Sequence, residues 1–409
     1  MTIDARVNWV IIGNGILRVA GGASSVLVGT YIADLNGRGV PLGAGLAGGL
    51  AATSFGAELA GSIPFGMLSD VVSVRALMVS GALLAAVGTL LFPLTRAVPV
   101  FVLSRILEGL AVAISVPAML AYLTEATASN PLRRTRSMSY FELSLLAGLA
   151  LGGVTAVQAW NQLGVGAFLA LSLMYVAAAV LLFRAHSTRR ADPDHHAWRT
   201  LHSALALPDV RRLAPVWLCM NAIVGLWLGP AFYFLMTHRA ATDQWLDGLF
   251  AGHVQRLGWL LLAYAAVFTA GVVIWSRVLP SMNLRRALGI SLVAMLGVCV
   301  TLTLLNHLSG ASATIRWIVI AVTAVLIMVE SGFTPAALSL LATAVAPASG
   351  RGVTMGVYSF LLSLGALIGS VIAGLVGGRF AVDGLIAATV ACAVLALVLS
   401  RRLEPTHAV

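Results

Sequence analysis

Long apolar runs alternate along the chain with short clusters of arginine, proline and glycine. A run of about 20 such residues, rising 1.5 Å per residue as a helix, crosses the hydrocarbon core of a bilayer. The pattern predicts twelve spans, at roughly 8–33, 44–69, 75–95, 98–124, 137–159, 163–183, 212–237, 256–279, 285–306, 315–342, 352–377 and 380–400. An even number of spans returns both termini to one side. One long polar stretch, 184–212, falls after the sixth span and carries Pro193 and Pro208. The expected organisation is an N-terminal six-helix bundle over 1–184, a linker over 185–211 and a C-terminal six-helix bundle over 212–409. Within the linker, residues 198–207 fit either a short interfacial helix or a solvated tether, because arginine and histidine alternate there with apolar residues. The loop 238–255 is a second place where a short surface helix fits.

Composition narrows the class. Of 409 residues, 59% are hydrophobic and 10% charged, with a mean hydropathy of +0.96. A soluble domain of this length needs more polar surface than that. The fold class is all-α integral membrane. The net charge of +10 is carried by arginine alone, with no lysine. Between the spans, 17 arginines fall on the side of the termini and six on the other, while Arg18 and Arg105 lie inside spans. Basic residues concentrate on the cytoplasmic side of membrane proteins, so both termini and the linker are expected there, in a multi-pass cell (plasma or inner) membrane protein. That asymmetry accounts for the charge without nucleic acid. Cys219, Cys299 and Cys392 are scattered and form no metal or redox pattern. No nucleotide-binding loop, metal-ligand cluster or nucleophile constellation appears, so neither an enzyme, a cofactor nor a bound metal is expected. The first apolar run is too long for a cleavable signal peptide.

The halves repeat. At an offset of 217, Arg134, Met138, Gly148 and Gly152 match Arg351, Met355, Gly365 and Gly369. At an offset of 218, Pro117, Ala118, Leu120 and Leu123 match Pro335, Ala336, Leu338 and Leu341. Duplicated six-helix halves are an architecture used for alternating access.

Six ionisable side chains sit deep in apolar runs: Arg18, Glu58, Arg105, Glu108, Glu142 and Glu330. A charge at that depth costs at least a few kcal/mol and marks a substrate or proton path. Arginine stays charged, so only the glutamates can exchange protons. Ser54, Glu58 and Ser62 are spaced by four and form a polar stripe. Arg18 lies at a similar depth, and two readings apply: Glu58 exchanges between a proton and Arg18, or the two form a permanent ion pair. Arg105 and Glu108, three apart, share a helix face and can neutralise one another. Glu142 lies nearer the cytoplasmic end of the fifth span. In the second half, Thr323, Glu330 and Thr334 share a face. Asn221, Trp227, Phe232, Tyr233 and Phe234 surround Gly229-Pro230, where a loosened helix lined with aromatics suits a cavity for a bulky, largely apolar ligand. The other reading packs those aromatics between helices or against lipid.

Three motifs resemble those of the major facilitator superfamily, and the likeness covers the whole chain. Gly66-Met-Leu-Ser-Asp70 with Arg75 resembles its signature turn between the second and third spans, although Val71 and Ser73 stand where a basic residue and a glycine are usual. Arg105 followed by Gly109 resembles its second motif, in which the arginine is associated with proton coupling. Gly148-x-x-x-Gly152-Gly153 resembles the end of the motif of drug–proton antiporters, without the expected proline. The resemblance implies a monomeric secondary transporter with a cytoplasmic gate at Gly66, Asp70, Arg75, Glu125 and Arg351. Its partners would be a small-molecule substrate, protons and the lipid bilayer. The reading favoured is proton-coupled efflux of a hydrophobic or amphiphilic compound, with Glu58, Arg18, Arg105, Glu108 and Glu142 as coupling residues. Asn221, Trp227, Tyr233, Thr323 and Glu330 would line the substrate cavity. Import of a small polar nutrient is the alternative, and a transporter-derived sensor the more distant one.

Overall fold

The computed structural model describes residues 5–68, 72–127, 141, 144, 148, 151–185, 207–239, 242–308, 310, 312–345 and 351–403, and contains helices and turns but no strand among them. The first half holds α1 (Ala5–Gly37), α2 (Ala44–Leu68), α3 (Val74–Leu91), α4 (Val98–Ala126), α5 (141, 144, 148 and 151–163) and α6 (Ala167–Phe183). The second holds α7 (Pro208–Trp227), α8 (Pro230–Thr237), α9 (Val254–Val278), α10 (Leu284–His307), α11 (Ala313–Glu330), α12 (Phe333–Val345) and α13 (Arg351–Ser400). Nine stretches among the described residues are long and apolar enough to cross a membrane. Residues 151–159 of the expected fifth span fall in one of these together with the sixth, and 360–377 of the eleventh fall in another with the twelfth, divided by a break at Ala381 (φ 50°, ψ −131°).

Two expected spans are interrupted for identifiable reasons. Gly229 is extended and Pro230 lacks an amide hydrogen, so α7 stops and α8 restarts at the position read as a loosened helix. The run 315–342, expected to be continuous, breaks at Ser331-Gly332 between α11 and α12. There the Trp275 indole donates to Val329 O at 3.0 Å, and a Cβ on Gly332 would lie 2.2 Å from that ring. The loop after α8 forms turns over 245–252 rather than the surface helix that fitted its sequence. Gly248 and Gly252 adopt φ of +68° and +74°, which a helix does not accommodate. The linker stretch 198–206 lies outside the described residues.

Contacts divide the chain into two compact units, 1–28 with 53–199 and 29–52 with 200–409. The first has a core of Val10, Met78, Met119, Leu123, Phe141 and Leu182 among others. The second is built around Leu213, Trp217, Leu288, Leu292, Ala336 and Leu341. Both differ from a simple division at the linker, because the far ends of α1 and α2 belong to the second unit. Glycine explains the grouping. A Cβ on Gly29 would lie 2.5 Å from Pro230 O, and one on Gly48 would lie 2.5 Å from the Gly374 Cα, so backbone meets backbone.

Inside each unit the sequence repeat has a mechanical counterpart. Gly148 and Gly152 of α5 press on α1, where added Cβ atoms would meet Arg18 at 2.5 Å and Ala23 N at 2.7 Å. Gly365 and Gly369 of α13 press on α7 in the same manner, against Asn221 at 2.5 Å and Ala222 O at 1.9 Å. The pairs at an offset of 217 therefore perform one task twice, and Asn221 takes in the second unit the place Arg18 takes in the first. A small-residue packing face is sufficient reason for the glycine motif in α5.

Candidate functional site

The most developed polar site in the first unit centres on Glu108. Arg105 and Glu108 are 5% and 7% exposed and form an ion pair across one turn of α4. Ser24 of α1 donates to Glu108 Oε2 at 2.8 Å and accepts from Arg105 Nη1 at 3.0 Å. Thr89 of α3 donates to Glu108 Oε1 at 3.2 Å. The Tyr175 hydroxyl of α6 lies within electrostatic reach of both charges. Four helices thus converge on one carboxylate. Gly88 and Gly109 permit the approach: a Cβ on Gly88 would sit 3.2 Å from Glu108 Cγ, and one on Gly109 would sit 2.1 Å from Ser54 O of α2. A buried charge survives when it is paired and its remaining lone pairs are hydrogen-bonded, and this carboxylate meets both conditions. Arg105 Nε keeps one buried unpaired donor, so the node is not fully saturated.

The other first-half candidates are arranged differently. Arg18 is partly buried, its guanidinium lies 5.7 Å from the centre of the Phe141 ring, and its Nε has no acceptor. One turn earlier Asn14 donates to Ser144 of α5, so α1 and α5 are joined by a polar contact as well as by glycine. Glu58 is half-buried, one turn from the contact of Ser54 with Gly109, while Ser62 donates to Leu59 O at 2.8 Å within its own helix. Glu142 lies outside the described residues. Of the expected gate, Asp70 and the side chains of Glu125 and Arg351 lie outside them too, and Gly66 falls near the end of α2. Arg75 is placed, 5.0 Å above the Phe183 ring.

In the second unit most cavity candidates are engaged in packing. Asn221 is buried and donates to Trp217 O at 2.9 Å, with its Cβ against Gly365. The Trp227 indole donates to Thr389 at 2.8 Å and its ring meets Phe232 edge-on at 5.4 Å. Tyr233 and Phe234 are buried, and Thr323 donates to Val319 O at 2.8 Å. The reading of these aromatics as helix-packing groups is the one the contacts favour. Glu330 differs. It is 9% exposed, and it makes neither a hydrogen bond nor an ion pair among the described residues. Thr323 and Glu330 are the two buried positions of α11, whose other positions are exposed or partly buried.

One polar cluster had no sequence signal. Asn306, fully buried at the end of α10, accepts from Leu246 N at 3.0 Å and donates to Gln244 at 3.2 Å and Asp383 at 2.7 Å. His307 pairs with Asp383 at 3.1 Å and His238 with Asp247 at 3.4 Å. This network holds the loop 242–253 over the ends of α8 and α10 and the break in α13. Asn and Gln near span ends look like ordinary boundary residues in a sequence, so the pairing was invisible there.

The chain is similar along most of its length to known membrane transporters. It is 25% identical over 355 residues to the inner membrane transport protein YajR of Escherichia coli (strain K12), covering 84% of this chain and 72% of that protein. Crystal structures of the nucleoside transporter NupG (TM-score 0.72, 13% identity, 98% of each chain) and of a bacterial homologue of the human lysosomal transporter Spinster (TM-score 0.70, 13% identity, 98% of each chain) share its fold. At that identity these two likenesses carry the fold alone. The family model of the Major Facilitator Superfamily matches residues 10–250. With the apolar spans, the repeated glycine contacts and the buried charges, that match, over more than half of its length, means that this chain belongs to the Major Facilitator Superfamily of multi-pass membrane transporters.

Proposed function

We propose that the protein exports a hydrophobic or amphiphilic small molecule in exchange for protons by alternating access. The observation that supports this most is the buried Glu108 node. A carboxylate buried at membrane depth, held by an arginine that stays charged and by hydroxyls of two other helices, is the kind of group that marks a proton path. Protonation releases Arg105 from Glu108, and the hydroxyls of Ser24 and Thr89 belong to other helices. A proton arriving at this carboxylate therefore changes contacts among α1, α3 and α4 together. Glu58, one turn from the contact of α2 with α4, is the second proton-exchanging group, and Glu142 the third. The duplicated α5–α1 and α13–α7 contacts fit the repeated architecture that alternating access uses. By similarity to YajR, a bacterial inner membrane fits the arginine asymmetry, with both termini cytoplasmic.

The test uses purified protein in liposomes loaded with a fluorescent amphiphile, ethidium, under an imposed pH gradient. Export is expected to follow the gradient and to stop when nigericin dissipates it, and Glu108→Gln is expected to bind ethidium without responding to the gradient. Ethidium flux indifferent to the gradient in the parent protein would refute proton coupling. Flux of a polar nutrient with no ethidium movement would favour the importer.

A further inference from the structure

Two spans of the second unit meet in a basic recess. α10 starts at Leu284 and α13 ends at Ser400, so both apolar spans give way to polar residues at one level. A recess of about 360 Å³ lies there, lined by Asn283, Arg285, Arg286 and Gly289 at the start of α10 and by Leu397 and Arg401 at the end of α13. Leu284, Leu288 and Leu292 share one packed core with Ala393, Ala396 and Leu403, which fixes the two walls. Space remains beside Gly289, where an added Cβ would meet no atom within 4 Å.

The charge in the recess has one sign. Arg285, Arg286 and Arg401 form no ion pair among the described residues, whereas Arg212 pairs with Asp209 and Arg38 with Asp34. Three guanidinium groups gathered in one recess favour an anion that accepts from more than one of them. The helix start is not the attraction. Asn283 Oδ1 already accepts from the amides of Arg285 at 2.9 Å and Arg286 at 3.4 Å. The donors left are the guanidinium groups, whose planar forks match the oxygens of a phosphate.

Further into the spans the surface turns apolar. Arg286, Ile290 and Val293 follow one face of α10 at helical spacing, and Ile290 and Val293 are exposed. On α13, Arg401, Val398 and Val394 do the same, with both valines exposed. A free phosphate would use only the arginines. A phospholipid uses both parts, with its phosphate among the guanidinium groups and its acyl chains along the isoleucine and valines.

We propose that this recess binds the headgroup phosphate of an anionic phospholipid, which bridges the start of α10 and the end of α13. Basic pockets between spans attract acidic headgroups at the face where arginine concentrates. The site is separate from the Glu108 node and holds whether or not transport is coupled to protons.

Native mass spectrometry of the purified protein in detergent micelles reads the binding directly. Dioleoylphosphatidylglycerol is compared with zwitterionic dioleoylphosphatidylcholine, which has the same chains. The parent protein is expected to prefer the anionic lipid by roughly tenfold or more. A variant carrying Arg285→Gln, Arg286→Gln and Arg401→Gln should bind the two alike. Arg286→Gln and Arg401→Gln alone, each at an exposed position, should each lose part of the preference and keep the fold safe from the triple change. A variant of equal charge loss in the linker, Arg189→Gln with Arg190→Gln and Arg199→Gln, should keep all of it. Inorganic phosphate in excess should displace no more anionic lipid than chloride at the same ionic strength. No preference in the parent protein, full preference in both single variants or in the triple variant, or equal loss in the linker variant would overturn the proposal. Displacement by inorganic phosphate beyond the effect of chloride would overturn it too, by making the recess a site for the free anion.

Discussion

The pairing of Arg105 with Glu108 makes a quantitative prediction about stability. Both side chains are more than nine-tenths buried, so exposed-pair values do not apply. Arg105→Leu leaves the carboxylate without its cation, and Glu108→Leu leaves the guanidinium without its anion. Either single change is expected to cost about 3–5 kcal/mol, because one buried charge is stranded. Two independent losses of that size would total roughly 6–10 kcal/mol. The double variant strands no charge, and the freed hydroxyls of Ser24 and Thr89 can turn to carbonyls of their own helices. It is therefore expected within about 2 kcal/mol of the parent protein. Unfolding by sodium dodecyl sulfate in mixed micelles, followed by tryptophan fluorescence, provides all four values of the cycle. A double variant as unstable as the sum of the singles would refute the reasoning, since the two residues would then act separately.

Five further changes test the packing. Gly369→Val puts a side chain where even a Cβ would lie 1.9 Å from Ala222 O, so the loss is expected at about 3 kcal/mol or above; Gly289→Ala, with open space around it, should stay within about 0.5 kcal/mol, both read from melting temperatures. Gly332→Ala drives a methyl into the Trp275 indole and should lower stability by about 1–3 kcal/mol, with Trp275→Phe costing about 1 kcal/mol for the bond to Val329. Asn306→Ala removes the group that joins Leu246, Gln244 and Asp383, and hydrogen–deuterium exchange is expected to rise across 242–253 while α10 itself stays protected. Unchanged exchange in that loop would show that the network is not what orders it.

The sequence made the spans and the stranded charges readable because both are local properties of composition. It also exposed the repeat, since Gly148 and Gly365 recur at a fixed offset, although their opposite surfaces, Arg18 and Asn221, do not look alike. The partners of Glu108 were not legible. Ser24, Thr89 and Tyr175 are hydroxyl residues in apolar runs, and such residues most often bond back to their own helix, as Thr323 and Thr389 do. The break after Glu330 was hidden because Ser331-Gly332 interrupts neither hydropathy nor charge. Its cause lies in Trp275, more than fifty residues away. The break at Gly229-Pro230 was legible from its residue types, but the bond of Trp227 to Thr389, in a helix far along the chain, was not. The grouping of 29–52 with the second unit depends on glycine-to-backbone contacts that no single helix declares.

The central claim is that substrate export and proton movement are one process that passes through Glu108. Its most direct measurement is proton flux evoked by substrate, read by pyranine trapped in liposomes that contain the purified protein with no imposed gradient. Outward addition of ethidium should drive proton movement in the opposite direction through the parent protein, and the signal should vanish in Glu108→Gln while ethidium binding persists. A proton signal of equal size in Glu108→Gln would contradict the role assigned to that carboxylate, and ethidium transport with no proton movement in the parent protein would contradict the coupling itself.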